Sequence, residues 1–380
     1  MTICYIISMT GLYLHIPFCV KKCHYCNFII TTANTPESHT AFLGALKKET
    51  LHHAANFKNI DFDTLYLGGG TPSVMSPEET SALFDLIKGN FRFKKDAEIT
   101  CEINPGEIDC AKAENYRRLG VNRISLGAQS FQDKTLKRLN RTHTAADISV
   151  SFRLLRAAGF NNIGLDLILA LPEETLEDVK NSLDQLIKLG PEHVSLYELT
   201  IEEKTVFGAL SKKGKLNLPD EELQIQMLSY ARSALKKAGF LHYELLNYAQ
   251  AGFESRHNRI YWDNQEYLGL GPGAFSYING RRFMYAANVT EYLEKTGKDD
   301  WTAFEEEQLT AEKKEQESFL LALRLAEGAE LGRFHPLMKK MKDSIEKLEV
   351  RELLSRENGR IRLTDRGQFF AETVFAELAV

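Results

Sequence analysis

The stretch Tyr13-Leu-His-Ile-Pro-Phe-Cys19-Val-Lys-Lys-Cys23-His-Tyr-Cys26-Asn-Phe28 decides the reading of this 380-residue chain. A short β-type run ends in a loop that carries three cysteines spaced C-x₃-C-x₂-C. Three thiolates can hold three irons of a [4Fe–4S] cluster, whose usual protein set is four. The iron without a protein ligand keeps open coordination, and a small molecule bearing an amine and a carboxylate can chelate it. The alternative is a structural zinc ion with His15 or His24 as fourth ligand. Zinc sites, however, pair C-x₂₋₄-C with a second couple well downstream. The remaining cysteines, Cys4, Cys101 and Cys110, form no such couple, so the spacing favours the cluster.

Outward from this loop the chain alternates. Apolar β-type runs recur at residues 12–16, 64–67, 98–103, 123–126, 162–169 and 193–199. Helical periodicity fills residues 41–55, 77–88, 111–119, 145–158 and 176–189. Gly120, Gly159, Gly190 and Gly239 stand where helices should end, as C-terminal caps do. Strand–helix alternation predicts a parallel sheet with right-handed crossovers. Six units are too few for a closed eight-stranded barrel, so an open, partial (β/α)6 barrel over residues 10–240 is expected. Ligand sites in such folds lie at the carboxyl ends of the strands. The cysteine loop follows the first strand, Gly68-Gly-Gly-Thr71 the second, Glu102 and Asn104 end the third, Gln129 and Ser130 follow the fourth, and Asp166 lies in the fifth.

Residues 241–300 hold Gly-rich and aromatic signals and read as a segment packing on the barrel. Residues 301–380 read as a small C-terminal α+β unit, helices and a hairpin of winged-helix type. Composition is that of an ordinary globular chain, 43% apolar and 26% charged. Net charge is −5 with no basic block, which argues against electrostatic binding of nucleic acid. No apolar run approaches the roughly 20 residues that a membrane span needs. The first residues have no basic n-region or cleavage site of a secretory signal, and six cysteines, three of them clustered, make no disulfide framework, so a reducing cytoplasm is expected. Residues 1–8 read as a frayed tail or as a start-codon overcall ahead of Met9.

Glycine weakens both helix and strand, so Gly68–Gly70 either form a plain tight turn or let the backbone approach a ligand, with Thr71 adding a hydroxyl. Glu102 and Asp166 are either solvated strand-end acids or ligand contacts. Arg141 can clamp a carboxylate bidentately or form a surface ion pair. In His257-Asn-Arg-Ile-Tyr-Trp262, His257 and Tyr261 stack at i and i+4 on a helix, with Asn258 and Trp262 as a second pair. An imidazole can ligate haem iron beside an aromatic wall, or serve as a hydrogen-bonded core residue.

Tyr13-x-His-Ile-Pro-Phe-Cys-x₃-Cys-x-Tyr-Cys followed by Gly-Gly-Gly-Thr-Pro resembles the radical S-adenosylmethionine superfamily. Within it the chain is similar to the branch of the oxygen-independent coproporphyrinogen III oxidase and the haem chaperone HemW. The resemblance runs from about Gly11 to Phe283 and resumes in the tail. It implies Cys19, Cys23 and Cys26 as cluster ligands and a radical S-adenosylmethionine barrel. It also implies an S-adenosylmethionine site with Tyr13, Tyr25, Gly69, Gly70, Thr71, Glu102, Gln129, Arg141 and Asp166. Thr200 and Phe275 align through Ser195-Leu-Tyr-Glu-Leu-Thr and Gly-Leu-Gly-Pro-Gly-Ala-Phe.

The oxidase carries a fourth cysteine two residues past the third; here that position is Phe28. The oxidase's N-terminal extension is likewise not found in this sequence. The H-N-x-x-Y-W motif resembles that of the haem chaperone and makes His257, Asn258, Tyr261 and Trp262 the haem candidates. The resemblance therefore implies a carrier that binds haem and passes it to an apo-haemoprotein, such as a respiratory membrane enzyme met by transient membrane contact. An electron donor for the cluster is implied too. The alternative is the oxidase itself, decarboxylating coproporphyrinogen III in porphyrin biosynthesis. Residues alone leave open whether the chain turns over a substrate, and they do not give its oligomeric state.

Overall fold

A computed structural model describes residues 10–379; Cys4 and the expected tail 1–8 lie outside the described residues. Six strands form in the order the sequence predicts: β1 (Gly11–Ile16), β2 (Asp61–Gly69), β3 (Arg92–Ile103), β4 (Arg123–Gln129), β5 (Ile163–Leu169) and β6 (His193–Glu198). Each is parallel to the next, and sequence order equals spatial order. The crossover helices are α1 (Pro36–Ala54), α2 (Pro77–Asn90), α3 (Cys110–Arg118), α5 (Ala145–Ala157) and α6 (Leu176–Leu189), with a short α4 (Asp133–Arg138) before α5. Helices α1, α2, α5 and α6 open with reciprocal capping boxes, for example Thr35 with Ser38 and Thr175 with Asp178. Each box satisfies two backbone N–H groups that the first turn leaves without partners. At the other end of α6, Gly190 adopts φ 70°, the left-handed cap expected of glycine there.

Both faces of the sheet are covered. On β1, Leu12, Leu14 and Ile16 join the apolar core that Phe42 and Leu46 of α1 complete. The opposite face carries Gly11, Tyr13 and His15, which pair in register with Thr64, Tyr66 and Gly68 of β2. On β3, Glu98 lies beside Thr64 and Thr100 beside Tyr66. The interior of the half-barrel is therefore stacked in layers, as the period-two alternation of strands requires.

The segment after residue 240 does more than pack on the barrel. After α7 (Val206–Lys212) and α8 (Glu221–Lys237), β7 (Leu241–Glu244) and β8 (Asn247–Ala249) extend the sheet beyond β6. Helix α9 (Arg256–Trp262) then leads to β9 (Tyr267–Leu270), which runs parallel to β1 at the other end. Strands β10 (Ser276–Ile278), β11 (Arg281–Met284) and β12 (Glu305–Gln308) continue outward to give twelve strands. The division expected at residue 301 thus falls inside this sheet, because β12 pairs with β11. Helix α10 (Val289–Gly297) lies between those two strands and packs on α1.

From α11 (Ala311–Ala322) onward the chain forms a separate core around Phe319, Ile345, Ile361 and Val374. A three-stranded sheet of β13 (Ala329–Glu330), β14 (Leu354–Glu357) and β15 (Arg360–Leu363) sits within it. Asn358 and Gly359 both have positive φ in the hairpin between β14 and β15, as a two-residue primed turn needs. Among the described residues no helix is long and apolar enough to cross a membrane.

Candidate functional site

The carboxyl ends of the parallel strands surround one cavity of about 480 Å³. Cys19, Cys23 and Cys26 line it together, each partly exposed. Two of the three are tied by a chain of polar side chains. The Cys19 Sγ lies 3.4 Å from Thr71 Oγ1, Asn104 Nδ2 donates to the same Oγ1 at 2.9 Å, and Arg141 Nη2 donates to Asn104 Oδ1 at 2.5 Å. The Nη1 of Arg141 reaches Cys23 Sγ at 3.5 Å. Burial pushes the Cys19 thiol up to about 11 and raises that of Cys26 as well. These sulfurs therefore need nearby positive charge to become ligating thiolates, which a metal centre supplies outright.

The donor set fits a cluster better than zinc. Among the described residues no three His, Cys, Asp or Glu side chains converge on one ion. An iron–sulfur cube, larger than one ion, holds its thiolates farther apart. His15 and His24 do not supply a fourth zinc ligand. His15 holds Tyr13 OH through Nδ1 (3.1 Å) and donates through Nε2 to the Ile29 carbonyl (2.7 Å). His24 donates through Nδ1 to the Arg138 carbonyl at 2.9 Å, with its ring beside Phe207.

Gly69 and Gly70 lie where the sequence reading puts close backbone approach. A Cβ on Gly70 would stand 2.6 Å from the Phe18 carbonyl oxygen, and one on Gly69, at φ 102°, 2.5 Å from the His15 ring. The cysteine loop and the glycine turn can touch only because both side chains are absent. Tyr25, Thr71, Glu102, Gln129, Arg141, Asp166 and Thr200 also line the cavity. Gln129 sits at φ 63°, an uncommon backbone conformation for a non-glycine residue. Glu102 accepts from Tyr66 OH at 2.7 Å and from Gly69 N at 3.2 Å. Burial pushes its carboxyl up to about 7, and the neighbouring Asp166 adds to the rise. Asp166 accepts from Ser125 Oγ at 3.0 and 2.9 Å, and burial raises its carboxyl too. The two carboxyls face one cavity from β3 and β5, on either side of β4, and the negative charge of Asp166 opposes ionisation of Glu102.

Two expected cofactor residues do not line the cavity. Tyr13 lies one layer below it, against Tyr66 and His15. Phe275 belongs to the turn 271–275, which packs behind the cysteine loop: a Cβ on Gly273 would stand 2.3 Å from Ile29 Cδ1. Residues the sequence reading did not single out also belong to the site. They are Ser125 and Tyr197 in the wall and Tyr66 just beneath it, while His15, open to the sequence reading only as a zinc ligand, is the tether of the cysteine loop. Period-two alternation would have found Tyr66 from Gly68 on β2, and Tyr197 from Ser195, the β6 partner of Asp166.

The structure places His257 inside the barrel rather than at an open surface. Its side chain is 1% exposed, and burial depresses its imidazole to about 3, so it is neutral. Both ring nitrogens are taken, Nδ1 by Thr64 Oγ1 at 2.6 Å and Nε2 by Tyr261 OH at 2.9 Å. The face shared by His257 and Tyr261 turns into the barrel because α9 closes its lower end. Trp262 is covered by the Arg324 guanidinium, 4.2 Å from its ring, and Asn258 donates its backbone N–H to the Ser255 cap. No open aromatic wall is formed by these four residues.

Residues 13–186 match the family model described as the radical SAM superfamily, and residues 309–370 that of the HemN C-terminal domain. A Bacillus subtilis protein named haem chaperone HemW is 34% identical over 97% of this chain and 98% of its own length. Its namesake from Lactococcus lactis is 36% identical over 96% and 95%. The chain belongs to the HemW family. Radical SAM members carry a [4Fe–4S] cluster and S-adenosylmethionine, and the cysteine-lined cavity described above is where this HemW-family chain can take them. The fold is also that of the Escherichia coli coproporphyrinogen III oxidase HemN. That structure superposes with a TM-score of 0.86 at 22% identity, covering 98% of this chain and 90% of the other. Against that oxidase, this HemW-family chain presents Phe28 to the cavity, 67% exposed, where the resemblance places a fourth cysteine.

Proposed function

We propose that this chain is a haem chaperone, which binds haem and hands it to an apo-haemoprotein. Cys19, Cys23 and Cys26 hold a [4Fe–4S] cluster in this reading, and the adjoining cavity holds S-adenosylmethionine. The observation that carries it is the near end-to-end likeness to proteins named haem chaperone. Phe28 supports it, because an aromatic ring supplies no thiol at the position that sets the oxidase apart. The acceptor is a haemoprotein of a respiratory membrane enzyme, and a cytoplasmic electron donor keeps the cluster reduced.

The chain's own residues have definable tasks. Thr71, Asn104 and Arg141 hold two of the three cysteines in one hydrogen-bonded arc. The Arg141 cation offsets negative charge on Cys23, and hydrogen bonds to ligating sulfur are one lever on cluster potential. Gly69 and Gly70 let a ligand's polar end meet backbone, and Glu102 and Asp166 offer buried acceptors on the facing strands. Tyr25, Gln129 and Thr200 complete the wall. When bound, cluster and S-adenosylmethionine supply one-electron chemistry that amino-acid side chains lack.

The anaerobically reconstituted protein is incubated with S-adenosylmethionine, reductant and either coproporphyrinogen III or haem. Stable haem binding, transfer to an apo-haemoprotein and no porphyrinogen turnover are expected. Formation of protoporphyrinogen would establish the oxidase reading instead. Cys26→Ala is expected to lose most of its iron and acid-labile sulfide, measured against the parent chain.

A further inference from the structure

The H-N-x-x-Y-W helix is left without a task once His257 is seen to be buried, and its contacts supply one. His257 lies at the lowest layer of the barrel interior, where its backbone N–H donates to Glu98 Oε1 at 3.0 Å and its ring bonds Thr64. One layer up, its imidazole stacks on the Tyr66 ring, with centroids 4.9 Å apart and planes at 28°. Tyr66 OH then donates to Glu102 in the uppermost layer, at the cavity. The column runs unbroken from the floor of the barrel to its mouth.

Two glycines leave it room. A Cβ on Gly11 would stand 3.2 Å from His257 Cε1, and a Cβ on Gly68 would stand 2.8 Å from Tyr66 Cε1 and 2.9 Å from Glu102 Oε1. The imidazole cannot swing away, since Thr64 and Tyr261 hold its two nitrogens from different elements. The Tyr66 ring therefore has a fixed base, and a fixed ring fixes the direction from which Glu102 is held.

We infer that His257 is a positioning residue for the cofactor cavity: through the Tyr66 ring it sets the Glu102 carboxylate that meets S-adenosylmethionine. The inference rests on the reading that this cavity binds S-adenosylmethionine, but not on where haem binds. In it, the motif belongs to the cofactor site rather than to the haem site, and helix α9 is a floor on which the site stands.

The test uses the full chain with its cluster reconstituted. S-adenosylmethionine affinity is measured by calorimetry, together with the change the ligand makes in the EPR spectrum of the reduced cluster. Tyr66→Phe removes only the hydroxyl, and His257→Ala removes the base of the column. Each is expected to weaken S-adenosylmethionine about tenfold, the scale of one hydrogen bond to a charged group. The double variant should be no worse than the poorer single one, because both act through one carboxylate. His257→Phe keeps a flat ring and should return most of the affinity.

Iron content and thermal unfolding show which variants are folded; Tyr66→Phe keeps the ring and its packing, so it carries the test if His257→Ala does not fold. His257→Ala is expected to bind haem with the parent's stoichiometry. Unchanged S-adenosylmethionine affinity in Tyr66→Phe and His257→Ala, or additive losses in the double variant, would overturn the inference. A parent chain that binds S-adenosylmethionine but no haem would sink the chaperone reading and leave this one standing.

Discussion

Glu49 shows how far one side chain can tie distant parts of this molecule. It sits on α1 at 1% exposure and accepts hydrogen bonds from Gly271 N at 2.8 Å and from Tyr292 OH at 2.7 Å. Burial pushes its carboxyl from 4.5 up to about 7. A raised carboxyl favours the protonated form in the folded chain. Its stabilising contribution is therefore complete below about pH 4.5 and is lost as pH rises through about 7. Glu49→Gln should accordingly show a shallower fall in Tm between about pH 5 and 8 than the parent, followed by circular dichroism. A steeper fall would contradict the assignment. The same scale explains what was legible beforehand. The cysteines, Gly69, Gly70 and Glu102 could be placed because each stands at or just after a strand end in the sequence itself, and Asp166 because it lies within a predicted strand. Tyr66 could not be given a task, nor His15 any beyond a candidate zinc ligand, because their partners Glu102 and Ile29 come together only in the folded chain. The H-N-x-x-Y-W motif was legible as a motif, yet spacing alone could not tell an inward-facing imidazole from an outward-facing one.

Among the elements, the glycine turn and the crossover helices behave oppositely. A Cβ on Gly70 would collide with backbone oxygens of Ile16 and Phe18, which cannot move without shifting β1 and the cysteine loop. Gly70→Ala is expected to cost about 1–3 kcal/mol and to lower iron incorporation, measured by denaturant unfolding and iron assay. Gly89, inside α2, has nothing within 4 Å of such an atom. Gly89→Ala should leave cluster content unchanged and stabilise by about 0.5–1 kcal/mol. Helices α2, α5 and α6 start where the sequence predicts because capping boxes are local signals. Strands β7–β12 escaped the sequence reading because they are three or four residues long and take their identity from the edges they join.

At the scale of the molecule, the C-terminal unit is held to the barrel across the far side of α9. Arg324 lies over Trp262 at 4.2 Å, and Glu244, whose carboxyl burial pushes up while the Arg324 charge holds it down, is fully shielded from solvent. Leu245 N donates to the Arg324 carbonyl at 3.0 Å, so backbone and side chain both anchor the contact. Arg324 is not ion-paired to Glu244, but its charge opposes the rise that burial imposes on that carboxyl, so removing it leaves a buried acid with less compensation. Arg324→Leu is expected to destabilise by about 1–2 kcal/mol, the scale of a desolvated cation–π contact, and adding Glu244→Gln should recover part of that loss. Equal unfolding midpoints for parent and Arg324→Leu would remove this contact from the account. An open six-stranded barrel was readable from the order of strands and helices, whereas its extension at both edges was not, since no local pattern records which strand a distant segment will meet.

The pairing of Leu14 with Leu270 also sets a schedule. Strand β1, from whose end the cysteine loop hangs, leaves the ribosome some 250 residues before its second neighbour. At synthesis rates of roughly 5–20 residues per second, that strand waits with one edge unpaired for tens of seconds. The floor helix, too, is made only after all six barrel strands. Iron and sulfide are thus best delivered after synthesis has passed β9, and a nascent chain stalled before it should carry its three cysteines without retaining a cluster.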